Sequence, residues 1–243
     1  MKLKVCGITS AAFAVEAAKR GVDYLGLIFA AKSPRRATAA QAREIVAAVS
    51  AASSPAPRFV GVFVEHSAQA ILEIAGTVPI SVIQLHSRNY GADDVALLKA
   101  AGYEIWALDG SAASASAASK GTVPICNCKN ERECGKDGKL CPVASASADA
   151  ILLDGRDGAR CGGTGKLADW SRIAELKAES RRVVLAGGLS AANIAEAAAT
   201  GADILDVNSG VETAPGAKSI PLLDELLDRY SAALRQMQTR VRP

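Results

Sequence analysis

The sequence predicts a protein of the α/β class that folds as a single (β/α)8 TIM barrel. Short aliphatic or β-branched runs alternate with Ala-, Glu- and Lys-rich segments of helical period along most of the 243 residues. About eight such units favour a closed parallel barrel, because an open doubly wound sheet would leave two or three of them unused. The apolar runs are also continuous, which is typical of parallel strands that helices cover.

The strands of the predicted barrel are the short apolar runs. In chain order they are Leu3–Val5, Tyr24–Phe29, Phe59–Val64, Ser81–Leu85, Glu104–Leu108, Ala150–Leu153, Val183–Ala186 and Ile204–Val207.

Helices are predicted between most of these strands. In chain order they are Ala11–Arg20, Ala39–Val49, Ala68–Ala75, Asp93–Ala101, Trp170–Ala178, Ala191–Ala199 and Pro221–Leu234. Side-chain oxygens that could accept a hydrogen bond from a first-turn amide precede several of them. These candidate N-caps are Ser10, Thr38, Ser67 and Ser190. The basic tail after Leu234 is predicted to fray.

The charge balance does not predict a nucleic-acid or membrane partner. Lys plus Arg number 28 against 25 for Asp plus Glu, which gives a net charge of only +3. No apolar run approaches the roughly 18–20 residues that a membrane helix needs. The first residues also lack the apolar core of a signal peptide. Six cysteines without an export signal therefore favour a cytoplasmic protein with free thiols or a metal site.

Residues 111–149 break the alternation and are predicted to be an insertion between strands five and six of a single domain, 1–243. Ser/Ala-rich stretches flank four clustered cysteines, which are Cys126, Cys128, Cys134 and Cys141. Four thiolates could bind zinc or an iron–sulfur cluster, but the spacing does not match paired C-x-x-C motifs. A metal site, a redox-sensitive thiol cluster and a solvated loop without defined chemistry all stay open.

Catalytic groups are expected at the carboxyl ends of the strands, where β/α barrels hold their active sites. Cys6 follows the first strand, although a free cysteine is often just a small buried hydrophobe. Asp154 ends the apolar sixth strand, where an acid is costly to bury unless it is paired or transfers protons. A cap, or a salt bridge to Arg156 or Arg160, is the alternative for Asp154.

Glycine-rich turns follow the sixth, seventh and eighth strands. They contain Gly162–Lys166, the pair Gly187 and Gly188, and the pair Ser209 and Gly210. Glycine lets backbone amides approach an anion closely, and barrels often bind phosphate after their last strands. The three turns together therefore predict a phosphate site. Gly162–Lys166 lacks the spacing of a Walker P-loop.

The motifs along the chain resemble a known enzyme family. In order they are KVCGIT, KSPR, VGVFV, QLH, ILLD, GGTGK-x-x-DW, LAGGL and SGVE. This set resembles phosphoribosylanthranilate isomerase of tryptophan biosynthesis. The resemblance implies an Amadori rearrangement of N-(5-phosphoribosyl)anthranilate to 1-(2-carboxyphenylamino)-1-deoxyribulose 5-phosphate. It implies no cofactor or metal, a small phosphorylated substrate as partner, and a monomer or homodimer.

The resemblance also implies roles for individual residues. Asp154 would be the general acid that opens the ribose ring, and Cys6 the base that removes the proton from carbon 2. Arg35 would pair with the anthranilate carboxylate, although the adjacent Arg36 stays an alternative. His86 would lie beside the anthranilate, and its alternative is a histidine whose hydrogen bonds go to backbone.

The same resemblance implies that the glycine-rich turns bind the phosphate through their backbone amides. The residues implied are Gly163, Gly165, Gly187, Gly188, Ser209 and Gly210. Asp206 on the eighth strand would line the barrel, and Cys161 has no expected role.

Three short stretches depart from the family pattern, and these departures could alter the anthranilate side of the expected pocket. Ser87-Arg88 replaces a glycine and an acid, Asn208 replaces a serine, and Ala30-Ala31 replaces a Tyr-Pro pair. The expected acid, base and phosphate turns are unaffected.

Two other functions stay open. One is a bifunctional isomerase that also accepts the phosphoribosyl aminoaldose of histidine biosynthesis. That substrate carries a phosphate at both ends and would require a second phosphate site. The other is a metal- or redox-responsive binding protein on a retired barrel, against which the retention of both Cys6 and Asp154 argues.

Overall fold

The structure, a computed structural model, describes residues 1–109, 144–155 and 170–241. Eight parallel strands form a closed barrel in the order β1 to β8, and β1 pairs with β8 to close it. This arrangement confirms the predicted TIM barrel. The strands are β1 Lys2–Val5, β2 Tyr24–Ile28, β3 Arg58–Phe63, β4 Val82–Leu85, β5 Glu104–Leu108, β6 Ala150–Asp154, β7 Val183–Ala186 and β8 Ile204–Val207.

Helices cover the outside of the barrel. They are α1 Ala11–Lys19, α2 Ala39–Ala52, α3 Ala68–Ala75, α4 Ala92–Ala100, α5 Ala144–Ser147, α6 Ser171–Ala178, α7 Ile194–Ala199 and α8 Ile220–Val241. In the part of the chain that the structure describes, no helix is both long and apolar enough to cross a membrane.

Three of the four predicted N-caps are confirmed. Ser10, Thr38 and Ser67 each accept a hydrogen bond from an amide of the first helical turn. Ser190 is not a helix cap, because α7 begins only at Ile194 and Asn193 is its N-cap residue. Ser190 instead forms a β-bridge with Gly210, which joins the turns after β7 and β8.

The prediction that the chain frays after Leu234 is wrong for the described residues. Helix α8 continues to Val241. Leu234 and Met237 are partly buried and pack against the main hydrophobic core, which stabilises this part of the helix.

The core has two layers. The larger one lies between the sheet and the helices, and the smaller one fills the inside of the barrel. Inside the barrel the rings of Tyr24 and Trp106 meet edge to face with centroids 5.1 Å apart. Glu104 accepts hydrogen bonds there from Trp106, Arg58 and Arg182. The amino-terminal end of the barrel is therefore filled, and open space remains at the opposite end.

A short antiparallel hairpin, not predicted from the sequence, follows β8. It pairs β9 Glu212–Ala214 with β10 Ala217–Lys218. The hairpin brings Glu212 and Lys218 to the carboxyl end of the barrel.

Several predicted features lie outside the described residues. They include the clustered cysteines, Cys161, Gly163, Gly165, Arg156 and Arg160. Of the predicted insertion, 111–149, the described part begins with the short helix α5.

Candidate active site

A cavity opens at the carboxyl ends of the strands, where the active site of a β/α barrel is expected. The empty space inside it and in its open mouth together amounts to about 500 Å³. The predicted residues that line it are Cys6, His86, Asp154, Gly187, Gly188 and Ser209. Gln84, Asp206 and Asn208 also line it. The strands therefore bring together residues that are as many as 203 positions apart, Cys6 and Ser209.

Cys6 is buried at the end of β1, with only 4% of its surface exposed. It packs against Gly26 of β2, where an added Cβ would lie 2.7 Å from the Cys6 sulfur. Such a contact is too short for real atoms, so a residue without a side chain at position 26 creates the space for the thiol.

The pKa of the Cys6 thiol is set by its burial and by the ammonium groups of Lys4 and Lys218. Burial raises the pKa of Cys6, while Lys4 and Lys218 oppose that rise by favouring the thiolate. The net direction is upward, so the protonated thiol predominates at neutral pH in the structure as it stands. Once ionised, the sulfur is a stronger base than an ordinary thiolate.

Lys4 lies fully buried in β1, directly opposite Asp206 of β8. Its Nζ is 2.6 Å from Oδ2 of Asp206 and 2.8 Å from Oε1 of Gln84. Burial lowers the pKa of Lys4, but the attraction and hydrogen bond of the Asp206 carboxylate act against it, and the net direction of the pKa is upward. The ammonium form is therefore retained inside the barrel.

His86 connects Gln84 to Asp154. Its Nδ1 is 3.1 Å from Nε2 of Gln84, and its Nε2 is 3.2 Å from Oδ2 of Asp154. The side chain of His86 therefore contacts other side chains, which differs from the predicted alternative of a histidine bonded to backbone. Asp154 is nearly buried, with 6% of its side chain exposed.

Arg35 is held by Glu212 of the hairpin. Its Nε and Nη2 donate to the Glu212 carboxylate at distances of 2.7 to 3.0 Å, which is a bidentate geometry. The side chain is 15% exposed. Arg36, the alternative considered from the sequence, is an exposed residue.

Lys218 supports this pair from the other strand of the hairpin. Its Nζ lies 2.9 Å from Oε1 of Glu212 and 2.8 Å from Oδ1 of Asn208. Burial raises the pKa of Glu212, but the hydrogen bonds from Arg35 and Lys218 outweigh that effect and lower it. Glu212 is therefore a carboxylate held between two cations.

The turn after β7 requires glycine. Gly187 and Gly188 have φ angles of +92° and +70°, which side chains rarely adopt. A Cβ on Gly187 would also lie 2.3 Å from the amide nitrogen of Gly155 and 2.7 Å from Oδ1 of Asp154. The turn therefore approaches the end of β6 as closely as the backbone allows.

Four charged or polar residues of this region had no role assigned from the sequence, although three of them stand in the quoted motifs: Lys4 in KVCGIT, Gln84 in QLH and Glu212 in SGVE. Lys4 and Gln84 carried a signal, because each is a polar residue in an otherwise apolar strand. The position of Lys218 could not be predicted, because the short polar hairpin that carries it was not predicted from the sequence. Among the described residues, no group of three His, Cys, Asp or Glu side chains is placed to hold a metal ion.

Comparison with known proteins identifies the family. The sequence model of N-(5'phosphoribosyl)anthranilate (PRA) isomerase matches residues 3–120 and 114–229. The chain belongs to this family. The PRA isomerase fold, family and isomerase class predicted from the motifs are thereby confirmed.

Individual PRA isomerases show the extent of the similarity. The N-(5'-phosphoribosyl)anthranilate isomerase of Hahella chejuensis is 32% identical over 233 residues, which cover 93% of this chain and 92% of that protein. The Tryptophan biosynthesis protein TrpCF of Vibrio cholerae is 34% identical over 230 residues, and the match spans 41% of its length. The crystal structure of the Thermus thermophilus phosphoribosyl anthranilate isomerase superposes with a TM-score of 0.71 at 28% identity, over 96% of this chain and 99% of that one.

Proposed function

We propose that this PRA isomerase converts N-(5-phosphoribosyl)anthranilate to 1-(2-carboxyphenylamino)-1-deoxyribulose 5-phosphate by general acid–base catalysis. The observation that carries the proposal is that Cys6 and Asp154 line the same cavity, in a chain that belongs to this family. Cys6 directly follows β1 and Asp154 ends β6, so substrate bound in the cavity meets both groups.

Asp154 acts first, as the acid. It gives a proton to the ring oxygen of the ribose while the bond between that oxygen and carbon 1 breaks, and the anthranilate nitrogen becomes an iminium. Its position at the end of an apolar strand, 6% exposed, keeps bulk water away from the carboxyl group.

Cys6 then acts as the base. Its thiolate takes the proton from carbon 2, and the electron pair of that bond moves towards the iminium nitrogen to give an enolamine. The enolamine becomes the ketone when its hydroxyl loses a proton and carbon 1 gains one. The cycle closes when Cys6 loses its proton and Asp154 regains one, so the overall reaction is an isomerisation.

The ends of the substrate have separate sites in this proposal. The phosphate binds to backbone amides of Gly187, Gly188, Ser209 and Gly210. Gly163 and Gly165, which lie outside the described residues, are proposed to contribute their amides as well. The anthranilate carboxylate pairs with Arg35. Glu212 occupies Nε and Nη2 of Arg35, whereas Nη1 makes no hydrogen bond to any described residue.

The remaining expectations are part of the same proposal. We infer a cytoplasmic enzyme that works as a monomer or homodimer, with neither nucleic acid nor membrane as a partner. Membership of the PRA isomerase family, a family of biosynthetic enzymes, supports the location, and the net charge of only +3 gives no reason to expect a nucleic-acid partner. The bifunctional and metal- or redox-responsive alternatives gain no specific support from the described residues.

The proposal is tested by incubating the purified, reduced protein with freshly generated N-(5-phosphoribosyl)anthranilate and identifying the product by mass spectrometry and NMR. We expect the fluorescence of the substrate to disappear and the aminoketose to form in equal amount. A correctly folded, reduced protein that leaves the substrate unchanged would contradict the proposal.

A further inference from the structure

Three consecutive polar contacts cross the mouth of the barrel from β1 to β6. Lys4 Nζ donates to Gln84 Oε1 at 2.8 Å, Gln84 Nε2 lies 3.1 Å from His86 Nδ1, and His86 Nε2 lies 3.2 Å from Asp154 Oδ2. The chain of contacts therefore ends at the proposed catalytic acid. Its first two members are almost completely buried, at 0% and 1% exposed, so water cannot replace their partners.

The donors and acceptors of these groups determine which partner donates in each contact of the series. An ammonium group only donates, so Gln84 must turn its carbonyl oxygen to Lys4 and its NH2 group to His86. An amide NH2 group also only donates, so Nδ1 of His86 must accept. A neutral imidazole whose Nδ1 accepts carries its hydrogen on Nε2, which is the nitrogen beside Asp154.

We propose that Lys4 and Gln84 are positioning residues that fix His86 as the Nε2–H tautomer, so that His86 donates a hydrogen bond to Oδ2 of Asp154. The proposal rests on the proposed function, in which Asp154 is the acid. Because His86 then has no acceptor to offer, the acidic proton of Asp154 is carried by Oδ1 and not shared with the imidazole.

This arrangement serves both states of the acid. Before the reaction it prevents the carboxyl proton from being trapped in a hydrogen bond to His86. After the proton has left, the same Nε2–H group stabilises the carboxylate without any rearrangement. The opposite tautomer would place Nδ1–H against the NH2 group of Gln84, which is an unfavourable contact between two donors in a part-buried position.

Lys4 is held in place by Asp206, and this determines the orientation of the Gln84 amide. Its salt bridge to Asp206 at 2.6 Å joins two residues that face each other in the β1–β8 ladder. Rotating the Gln84 amide by half a turn would place its NH2 group against this ammonium. Only one orientation of Gln84 is therefore satisfied.

The tautomer can be measured directly, because the protein contains only two histidines, His66 and His86. In a His66→Asn background, long-range proton–nitrogen correlation NMR of the ring reports which nitrogen of His86 carries hydrogen. We expect protonated Nε2 and an accepting Nδ1. A spectrum of the Nδ1–H tautomer would overturn the proposal.

Substituting Gln84→Glu is the discriminating variant, since it keeps an oxygen for Lys4 and replaces the NH2 donor with an acceptor. We expect hydrogen to appear on Nδ1, and kcat to fall about 10- to 100-fold with a much smaller change in KM. A His86 spectrum that keeps an unprotonated Nδ1, or an unchanged kcat, would contradict the proposal.

Gln84→Met is the second variant, in case Gln84→Glu does not fold. It removes both hydrogen bonds at nearly constant volume, and we expect the Nδ1 resonance to move away from that of a hydrogen-bonded acceptor as kcat falls. An unshifted resonance would overturn the role of Gln84. Failure of the proposed function would appear differently, as a parent protein with the expected tautomer but no turnover.

Discussion

Lys4 and Asp206 face each other across the seam that closes the barrel, with Nζ of Lys4 2.6 Å from Oδ2 of Asp206. Both side chains are buried, at 0% and 6% exposed. The pair lies beneath Cys6, where the Lys4 ammonium favours the thiolate and the Asp206 carboxylate opposes it. A salt bridge in the barrel wall is thus connected both to the proposed base and, through Gln84, to the proposed acid.

Breaking this pair should destabilise the fold. Removing one partner of a buried salt bridge costs about 3–5 kcal/mol, because the other charge remains without compensation. We expect Lys4→Met to lower the free energy of unfolding by an amount at the lower end of that range, measured by urea denaturation. Adding Asp206→Asn to Lys4→Met removes the uncompensated charge, so the double variant should be more stable than Lys4→Met alone. A double variant that is less stable by the full sum of the single effects would contradict this account.

The pH dependence of turnover should report the Cys6 thiol. A base must be unprotonated, and burial holds the pKa of Cys6 above its ordinary value of 9.0. We therefore expect kcat/KM, which reports the free enzyme, to keep rising with pH through that value. A plateau already reached at neutral pH would show that the thiol ionises more easily than its burial implies.

The same pKa shift has a consequence for stability. A thiol whose pKa is raised by folding stabilises the protein fully below the unfolded pKa, and that contribution is lost as pH rises through the folded pKa. We expect the free energy of unfolding to fall more steeply above pH 9.0 in the parent protein than in Cys6→Ala. Parallel pH profiles for the two proteins would argue against a raised pKa.

Gly26 should be essential for the position of Cys6. A Cβ at residue 26 would lie 2.7 Å from the Cys6 sulfur and 3.1 Å from Cε of Lys4, and overpacking of this kind costs about 1–3 kcal/mol. We expect Gly26→Ala to lose both stability and turnover. Gly61→Ala is the matched control, because its Cβ would meet Ile80 and Phe63, which do not line the cavity. It should lose stability but keep the kcat of its folded fraction. Equal losses of kcat in both variants would mean that Gly26 has no special relation to the thiol.

Arg35 and Arg36 should differ in their effect on substrate binding. Hydrogen bonds to charged groups contribute about 1.5–3 kcal/mol, so we expect Arg35→Ala to raise KM by roughly 10- to 100-fold. Arg36→Ala is the adjacent control and should leave KM within about twofold, as is usual for an exposed side chain. The reverse ranking would assign the anthranilate carboxylate to Arg36.

The barrel strands could be predicted from the sequence because they are buried on both faces. Every predicted strand differs from the observed one by at most one residue at either end. Helix ends were predicted less well. Helix α8 continues to Val241, with Met237 packed against the core, and α7 begins only at Ile194, after Ser190 has formed a β-bridge with Gly210.

Residues of the site could be predicted only where their type and their position at a strand end are unusual in the sequence itself. Cys6 and Asp154 stand out at the ends of apolar strands, and the structure brings them to one cavity. The partners of these residues could not be predicted, because hydrogen bonds between β1, β4 and β8 depend on the register of strands far apart in the chain. Lys4 illustrates this: its charge is visible in the sequence, but its partners Asp206 and Gln84 are 202 and 80 positions away.

The central claim, that Cys6 and Asp154 transfer the protons, is tested most directly by steady-state turnover of N-(5-phosphoribosyl)anthranilate in Cys6→Ser and Asp154→Asn. Positioned acids and bases contribute about 100- to 10,000-fold to a rate. We expect each variant to fold like the parent protein, by circular dichroism and thermal unfolding, and to lose kcat by a factor in that range. Folded variants that retain the kcat of the parent protein would contradict the account.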